Sequence, residues 1–395
     1  MPYLKNINIL AASRTPMGSF LGSLSNLNAP TLGAHAVKAA LEKVPNATPE
    51  SIVMGNVLQA NVGQAPARQV SSLANLPQQV CATTVNKVCA SGMKAIDMIA
   101  SEIALGRISS GIAGGMESMS QVPYYQANVR TGKSFGHLDL VDGLLKDGLT
   151  DVGSSKSMGS CGDLAAEKFG FSREEQDSFA IESYLRAAKA YENGDFDEEI
   201  CSISIPQKKG ENLVIDEDES YKKVNFEKMK SLRPAFNPNG TVTAANASSM
   251  NDGASALLLA SEEETKALQA KPLARIIDYA EAEQEPIHFT STPVLAIQKL
   301  LKNNSLTVDD ISFFEINEAF ALVPMIAMKQ LNIPHEKVNI WGGAVALGHP
   351  LGSSGSRIVV TLTNQLIKNK GTYGIAAICN GGGGASALLI QNLNP

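Results

Sequence analysis

Two distant stretches of this chain follow one plan: a small-residue loop opens onto a helix, a glycine turn follows, and an apolar strand runs into glycines. In the first, Asn86-Lys87-Val88-Cys89-Ala90-Ser91-Gly92 precedes Met93, Ile96, Ile99 and Ile103 at helical spacing, with Gly106 as the stop signal. The strand Ile112-Ala113 then ends in Gly114-Gly115-Met116-Glu117. In the second, Gly348-His349-Pro350-Leu351-Gly352 precedes Val359, Leu362 and Leu366, with Gly371 beyond the helix. The strand Ile375-Ala376-Ala377-Ile378-Cys379 then ends in Gly381-Gly382-Gly383-Gly384. An earlier apolar strand precedes each stretch, at residues 7–12 and 273–279. The spacing is too loose for a solenoid. It predicts a duplicated α/β domain with its functional loops on corresponding strand ends.

A chain of 395 residues has room for two such halves, and 44% hydrophobic against 18% charged residues provides a packed core rather than disorder. Between the halves the texture changes. Gly, Ser and Tyr are frequent near 120–160, a charged helical segment follows at 172–193, and 211–230 is charged in both signs. This reads as an insertion over the core, a lid or substrate platform. The expected units are 1–119 with 243–270, the insertion 120–242, and 271–395. A net charge of -6 argues against nucleic-acid binding. The cysteines, Cys81, Cys89, Cys161, Cys201 and Cys379, are odd in number and lack metal-pair spacing, so a reducing compartment fits best. No apolar run reaches the ~20 residues of a membrane helix. Residues 1–10 lack the marks of a signal or transit peptide, which makes a cytosolic location the expectation.

Four places can carry chemistry. Cys89 stands at a helix start with Lys87 two residues before it, and a helix N-terminus and a cation both favour a thiolate. A buried structural cysteine remains equally open at this point. His349 lies in a rigid glycine-flanked loop that can direct a general base, although a lone histidine is more often an ordinary one. Cys379-Asn380-Gly381-Gly382-Gly383-Gly384 looks like a linker until the strand Ala385-Ser386-Ala387-Leu388-Leu389-Ile390 that follows is considered. A loop whose backbone N–H groups face a ligand fits better, with Cys379 as a second sulfur. Asn317, in Asn317-Glu318-Ala319-Phe320 after Phe313-Phe314-Glu315-Ile316, is either an oxyanion or water holder or a turn residue.

Together these motifs, with Gly342-Gly343-Ala344-Val345-Ala346-Leu347 before Gly348, resemble the thiolase family, in particular the acetoacetyl-CoA thiolases of eukaryotes. The similarity runs from Ser13-Arg14-Thr15-Pro16 to the C-terminal strand and takes in Gly63-Gln64-Ala65-Pro66-Ala67-Arg68-Gln69 and residues 239–248. The resemblance implies an α/β fold of two similar halves in five α-β-α-β-α layers, with an inserted loop domain that binds CoA, assembled as a homotetramer. It implies reversible joining of two acetyl-CoA into acetoacetyl-CoA and CoA, without metal or redox cofactor in the chemistry. His349 would activate Cys89, which carries the acetyl group, and Cys379 would take a proton from the second acetyl-CoA. One oxyanion hole would use His349 and a water on Asn317; the other, the N–H groups of Cys89 and of Gly381 or Gly382, with Gly381 favoured.

For CoA the resemblance points to Ser248 and to Lys223, Val224, Asn225 and Lys228. Two departures are visible: Lys223-Val224-Asn225 where a related pattern reads Arg-Val-Asp, and Ser157-Met158-Gly159 where many relatives carry His-Met-Gly. Potassium-activated relatives hold the ion at positions matching Tyr184, Ala244, Ala245, Ala247 and Val345. Phe289-Thr290 replaces the Phe-Pro of relatives that accept a branched substrate, so a narrow preference for acetoacetyl-CoA is expected. A broad-chain 3-ketoacyl-CoA thiolase is the neighbouring reading. A non-catalytic acyl-CoA-binding protein would need a broken site, and Cys379 argues against other condensing enzymes, whose second group is His or Glu. Cytosolic supply of the mevalonate and sterol pathway is the expected role, and mitochondrial breakdown the alternative.

Overall fold

The computed structural model describes residues 6–207 and 210–395; residues 1–5, part of the start read above for a leader, lie outside the described residues, as do 208–209. The first half runs β1 (Ile7–Arg14), β2 (Gly18–Ser19), α1 (Ala29–Glu42), β3 (Ser51–Gly55), α2 (Pro66–Leu73), β4 (Cys81–Val85), α3 (Ser91–Ala104) and β5 (Ser110–Ser118). The chain then leaves the sheet for two small ladders, β6 (Tyr124–Tyr125) with β7 (Val141–Asp142) and β8 (Ile203–Ile205) with β9 (Leu213–Ile215). Helices α4 (Met158–Phe169), α5 (Arg173–Glu192) and α6 (Phe226–Met229) belong to the same excursion. It returns with β10 (Asn251–Ser261) and α7 (Glu262–Ala267). The second half is β11 (Ala274–Glu283), α8 (Thr292–Asn304), β12 (Phe313–Ile316), α9 (Leu322–Leu331), α10 (Ala344–Leu347), α11 (Leu351–Lys368), β13 (Tyr373–Asn380) and β14 (Gly384–Asn392).

The two halves repeat one topology. In the first, strands lie in the order β1-β10-β5-β3-β4; in the second, β11-β14-β13-β12, with a single parallel bridge from Phe314 to Val338 where β4 would be. The halves share one ladder, because β1 also pairs with β11 through Ile7↔Ile276, Asn8↔Arg275 and Ile9↔Ala274.

Side-chain alternation sorts the strands between cores. Leu257 and Leu259 of β10 face an inner core with Met93, Ile96, Ile99, Ile358 and Leu362, while Leu258 faces an outer core with Leu32, Val37 and Val70. In β14, Leu388 and Ile390 face the same inner core and Leu389 an outer one with Ile297, Leu300 and Ile326. The order is therefore outer helices, sheet, α3 with α11, sheet, outer helices, which is the expected five-layer α/β fold. Each fully buried isoleucine on α3 contributes about 2 kcal/mol by leaving water. Among the described residues no helix is long and apolar enough to cross a membrane.

One expectation needs correction here. Gly114 and Gly115 do not end a strand; they lie inside β5, where a Cβ on Gly115 would sit 1.9 Å from the Gly352 carbonyl oxygen. Gly371 lies beyond the end of α11, as expected; the left-handed residue there is its neighbour Lys370 (φ 54°), and Gly371 is small for packing, since a Cβ there would meet Leu366 and Phe313 at 2.9 Å.

The excursion is fastened at both ends. A capping box, Ser172 with Glu175, starts α5, whose Phe179 and Tyr184 pack with Trp341 and with Val345 of α10. At the other end Arg14 of β1 is wholly buried between Glu199 (2.5 Å) and Asp218 (2.7 Å). Removing one partner of such a cluster typically costs 3–5 kcal/mol, roughly, because it strands a buried charge.

Candidate active site

Cys89 occupies a turn fixed by its neighbours. The Asn86 side chain accepts from Val88 N–H (2.9 Å), Ser91 Oγ accepts from Lys87 N–H (2.8 Å), and the Ser91 hydroxyl donates to Val88 O (2.6 Å). These bonds hold Val88 at φ 48°, a left-handed conformation that strains a β-branched residue by roughly 1–3 kcal/mol. Lys87, expected to aid the thiolate, does not. Its ammonium is turned outward onto Glu281 (2.9 Å) and Glu283 (3.3 Å).

Glycines bring the two repeated loops together. A Cβ on Gly92 would lie 2.5 Å from Ser356 Oγ, and one on Gly55 would lie 2.7 Å from the Gly352 carbonyl. With Gly115 they form a socket for the first turn of α11, so the turn carrying His349 is seated against the turn carrying Cys89. Asn251 completes the seat by accepting the His349 backbone N–H (3.0 Å), in space opened by Gly348, whose φ is 115° and whose Cβ would strike that same side chain.

His349 is held by a serine. Its Nδ1 lies 2.6 Å from Ser354 Oγ, and that hydroxyl also reaches Pro350 O (2.9 Å). With the serine hydrogen on Pro350, Nδ1 is the donor and Nε2 keeps a bare lone pair; Nε2 is buried and without a protein partner. Burial, with the Arg357 charge adding to it, pushes the imidazole down to about 3, so it is neutral.

The second sulfur, Cys379, is completely buried on β13, and burial and charge on Cys89 raise it well above an ordinary thiol. Gly381, Gly382 and Gly383 turn the chain from β13 into β14, with Asn380 opposite Gly384, so the glycine run is a hairpin loop. The backbone N–H groups of Gly381 and of Cys89 itself lie near enough to the Cys89 sulfur to favour its thiolate. Burial outweighs both and pushes the Cys89 thiol up to about 12. Asn317 follows β12 and is tied to β13 by its N–H on Ala377 O (2.9 Å); its amide nitrogen and oxygen are buried with no protein partner.

A cavity of about 630 Å³ is walled by Val57, Asn86, Val88, Met158, Gly381 and Gly382; Val88 and Gly381 bring it next to the Cys89 turn and the loop after Cys379, while Cys89, His349, Cys379 and Asn317 do not line it themselves. Ser157 caps α4 beside it, accepting from Ser160 N–H. A second cavity of about 330 Å³ is lined by Lys223, Val224, Asn225 and Lys228 and also by Tyr184, Ala244 and Ala245. Ala247 and Val345 do not line it: Ala247 bridges to Phe320, and Val345 is buried with Tyr184 and Ala245. Ser248 places its N–H and hydroxyl on Ala319 O (3.1 and 2.9 Å), two residues from Asn317.

Comparison with known proteins decides what this arrangement belongs to. The family model "Thiolase, N-terminal domain" matches residues 7–263, and "Thiolase, C-terminal domain" matches 270–392. The chain is a member of the thiolase family. A probable acetyl-CoA acetyltransferase of Dictyostelium discoideum is 51% identical over 393 residues, covering 99% of this chain and 95% of that one. The Acat5 thiolase of Ascaris suum, solved in complex with coenzyme A, is 44% identical with a TM-score of 0.93, covering 98% of this chain and 100% of that one. Human mitochondrial 3-ketoacyl-CoA thiolase is 37% identical with a TM-score of 0.95, covering 99% and 100%. As a thiolase the chain is an acyltransferase.

Sequence reasoning missed three residues that build this thiolase site: Glu117, Asn251 and Ser354. Ser354 sits in the first turn of α11, five residues after His349, and was findable from its nearness in the sequence. Asn251 and Glu117 reach the His349 turn from strands far away in sequence, and no local pattern marks them.

Proposed function

We propose that this thiolase joins two acetyl-CoA molecules into acetoacetyl-CoA and CoA, and runs the same reaction backward, through an S-acetyl group on Cys89. One observation carries the reading: the loop after Cys379 comes up against the turn of Cys89, where a Cβ on Gly381 would lie 3.5 Å from Val88, and the second thiol is close enough to feel charge on the first. A single structural cysteine needs neither.

At rest the thiol and the imidazole are both neutral. With burial pushing the thiol up to about 12 and the imidazole down to about 3, a preformed thiolate–imidazolium pair is disfavoured. The proton therefore moves from Cys89 to His349 Nε2 as sulfur bonds to the thioester carbon. The developing oxyanion lies where the N–H groups of Cys89 and Gly381 point. CoA leaves as a thiol with a proton from Cys379, and the imidazolium offsets the charge left on that sulfur. Cys379 then takes a methyl proton from the second acetyl-CoA. The enolate is met by His349 Nε2–H and by the unpartnered Asn317 amide, directly or through water. It attacks the acetyl carbonyl on Cys89, whose released sulfur recovers a proton.

In this reading Lys223, Val224, Asn225, Lys228 and Ser248 hold CoA. The smaller cavity supports that, although Lys223 already bonds Glu219 (3.1 Å) and Ser19 (2.8 Å) and must exchange them for a phosphate. Potassium at Tyr184, Ala244, Ala245, Ala247 and Val345 would steady the same region. Sharing of that cavity by three of the five supports the ion site, and unequal rates in K⁺ and Na⁺ at matched ionic strength test it. We place the protein in the cytosol as a homotetramer feeding mevalonate and sterol synthesis. The second reading, a broad-chain 3-ketoacyl-CoA thiolase, draws on the likeness to the human enzyme of that name.

Initial rates in both directions, with acetyl-CoA and with 3-oxoacyl-CoAs of several lengths, test the proposal. Fastest cleavage of acetoacetyl-CoA is expected, with acetyl-CoA protecting Cys89 from iodoacetamide. Absence of both turnover and protection overturns it.

A further inference from the structure

Four hydrogen-bond donors converge on Glu117, a side chain with no exposure at all. One carboxylate oxygen accepts from Asn56 Nδ2 (2.7 Å) and Leu58 N–H (3.1 Å), the other from Val57 N–H (3.0 Å) and Gly352 N–H (2.9 Å). Among the described residues it has no ion-pair partner. Three donors belong to the segment after β3, where Val57 and Leu58 pack with Leu351 in the apolar cluster that Cys89 joins. The fourth is in the first turn of α11, three residues after His349.

We propose that Glu117 is a positioning residue for the reaction, tying the Cys89 wall of the larger cavity to the turn that carries His349 and so setting how nucleophile and base meet. The proposal rests on the acyl-transfer reading above. Glu117 lines neither cavity, so it acts through those two segments rather than on substrate. Both oxygens are needed, because each serves the cavity wall and only one serves α11.

Its charge has a second effect. Ionised Glu117 raises the Cys89 thiol, which keeps the nucleophile protonated until the base acts. Burial pushes the Glu117 carboxyl itself up to about 7, and its four donors oppose that rise. Of the elements packed on β5, α3 carries Lys94, Asp97 and Glu102 with Cys89 in the turn before it, α11 carries Arg357 and Lys368 with His349 in the turn before it, β10 carries Asp252, and β3 carries no ionisable side chain. α1 lies on the opposite face of the sheet, against Met116.

Glu117→Gln keeps the shape and removes the charge and half of the accepting capacity. The expected result is kcat at least roughly tenfold lower, KM for acetoacetyl-CoA and CoA within about twofold, and an unchanged thermal midpoint. At pH 8 iodoacetamide should also alkylate Cys89 faster than in the wild type, read at that residue by mass spectrometry. Slower turnover with a more reactive nucleophile is not what general loosening gives. Turnover within about twofold of wild type overturns the proposal, and so does a joint fall of kcat, Cys89 reactivity and thermal midpoint. Should that variant not fold, Asn56→Ala removes one donor and leaves the charge. A severalfold lower kcat at unchanged Cys89 reactivity is expected, and wild-type turnover overturns the proposal. A wild-type protein without activity sinks the acyl-transfer reading itself; an active one with a silent Glu117→Gln sinks only this inference.

Discussion

His349 Nδ1 lies 2.6 Å from Ser354 Oγ, a hydroxyl that also reaches Pro350 O (2.9 Å), so with its hydrogen on Pro350 a serine in the first turn of α11 selects the tautomer of the base. Ser354→Ala frees the ring to carry its proton on Nε2, where it cannot accept one from Cys89. The expected loss in kcat is roughly 10- to 100-fold with little change in KM, in steady-state assays of thiolysis. Turnover within about twofold of wild type would show that the tautomer is set otherwise.

The acidities of Cys89 and His349 define a pH signature. The thiol, raised to about 12, stays protonated through neutrality, and the imidazole, lowered to about 3, stays neutral above that value. In the free enzyme, alkylation of Cys89 should therefore rise about tenfold per pH unit from 6 to 9 with no step near the usual histidine range. A plateau below pH 8 would indicate a preformed thiolate and refute the concerted proton transfer.

Gly115 and Gly381 are both glycines of the site, and they should respond differently. Gly115→Ala forces a methyl onto the Gly352 carbonyl, 1.9 Å away, and should cost on the order of 3 kcal/mol or leave the protein insoluble. Gly381→Ala meets only Val88 and Met158 at 3.5 and 3.6 Å, ordinary contacts, and should change stability by under about 1 kcal/mol. Urea unfolding of the two variants checks the contrast, and equal stabilities would refute it.

Two lysines near the sites should separate as well. Lys87→Ala is expected to leave kcat within about twofold, because its ammonium belongs to Glu281 rather than to Cys89. Lys223→Ala should raise KM for CoA by roughly three- to tenfold at unchanged kcat. The effect is smaller than for a free cation because binding already breaks the Glu219 and Ser19 bonds. A fall in kcat for Lys87→Ala, or an unmoved KM for Lys223→Ala, would reverse these assignments.

The duplication was legible because periodicity is local: Met93, Ile96, Ile99 and Ile103 announce α3 without reference to the rest of the chain. The bonds that make the site precise are not local. Gly114 and Gly115 looked like a strand end, because what presses on them lies far along the chain, the Ser255 carbonyl on Gly114 and the Gly352 turn on Gly115. Lys87 looked like a helper for Cys89 by adjacency, yet its direction is decided by acidic residues of β11. Glu117 is hidden for the same reason, since its worth lies in Gly352. The counterpart of β4 shrank to one bridge at Val338, which no propensity argument foretells.

The shared ladder between β1 and β11 has a consequence for how the protein is made. The first strand to leave the ribosome finds its partners only at 255–261 and 274–276, so the central sheet waits until about two-thirds of the chain has been synthesised. The inner core waits longer still, because α3 closes only when α11 arrives. A nascent chain thus exposes apolar strands for most of its synthesis, which makes chaperone capture before release an expected part of its life. Cys89 meets His349 and Cys379 near the very end, so an interrupted chain is an inert one.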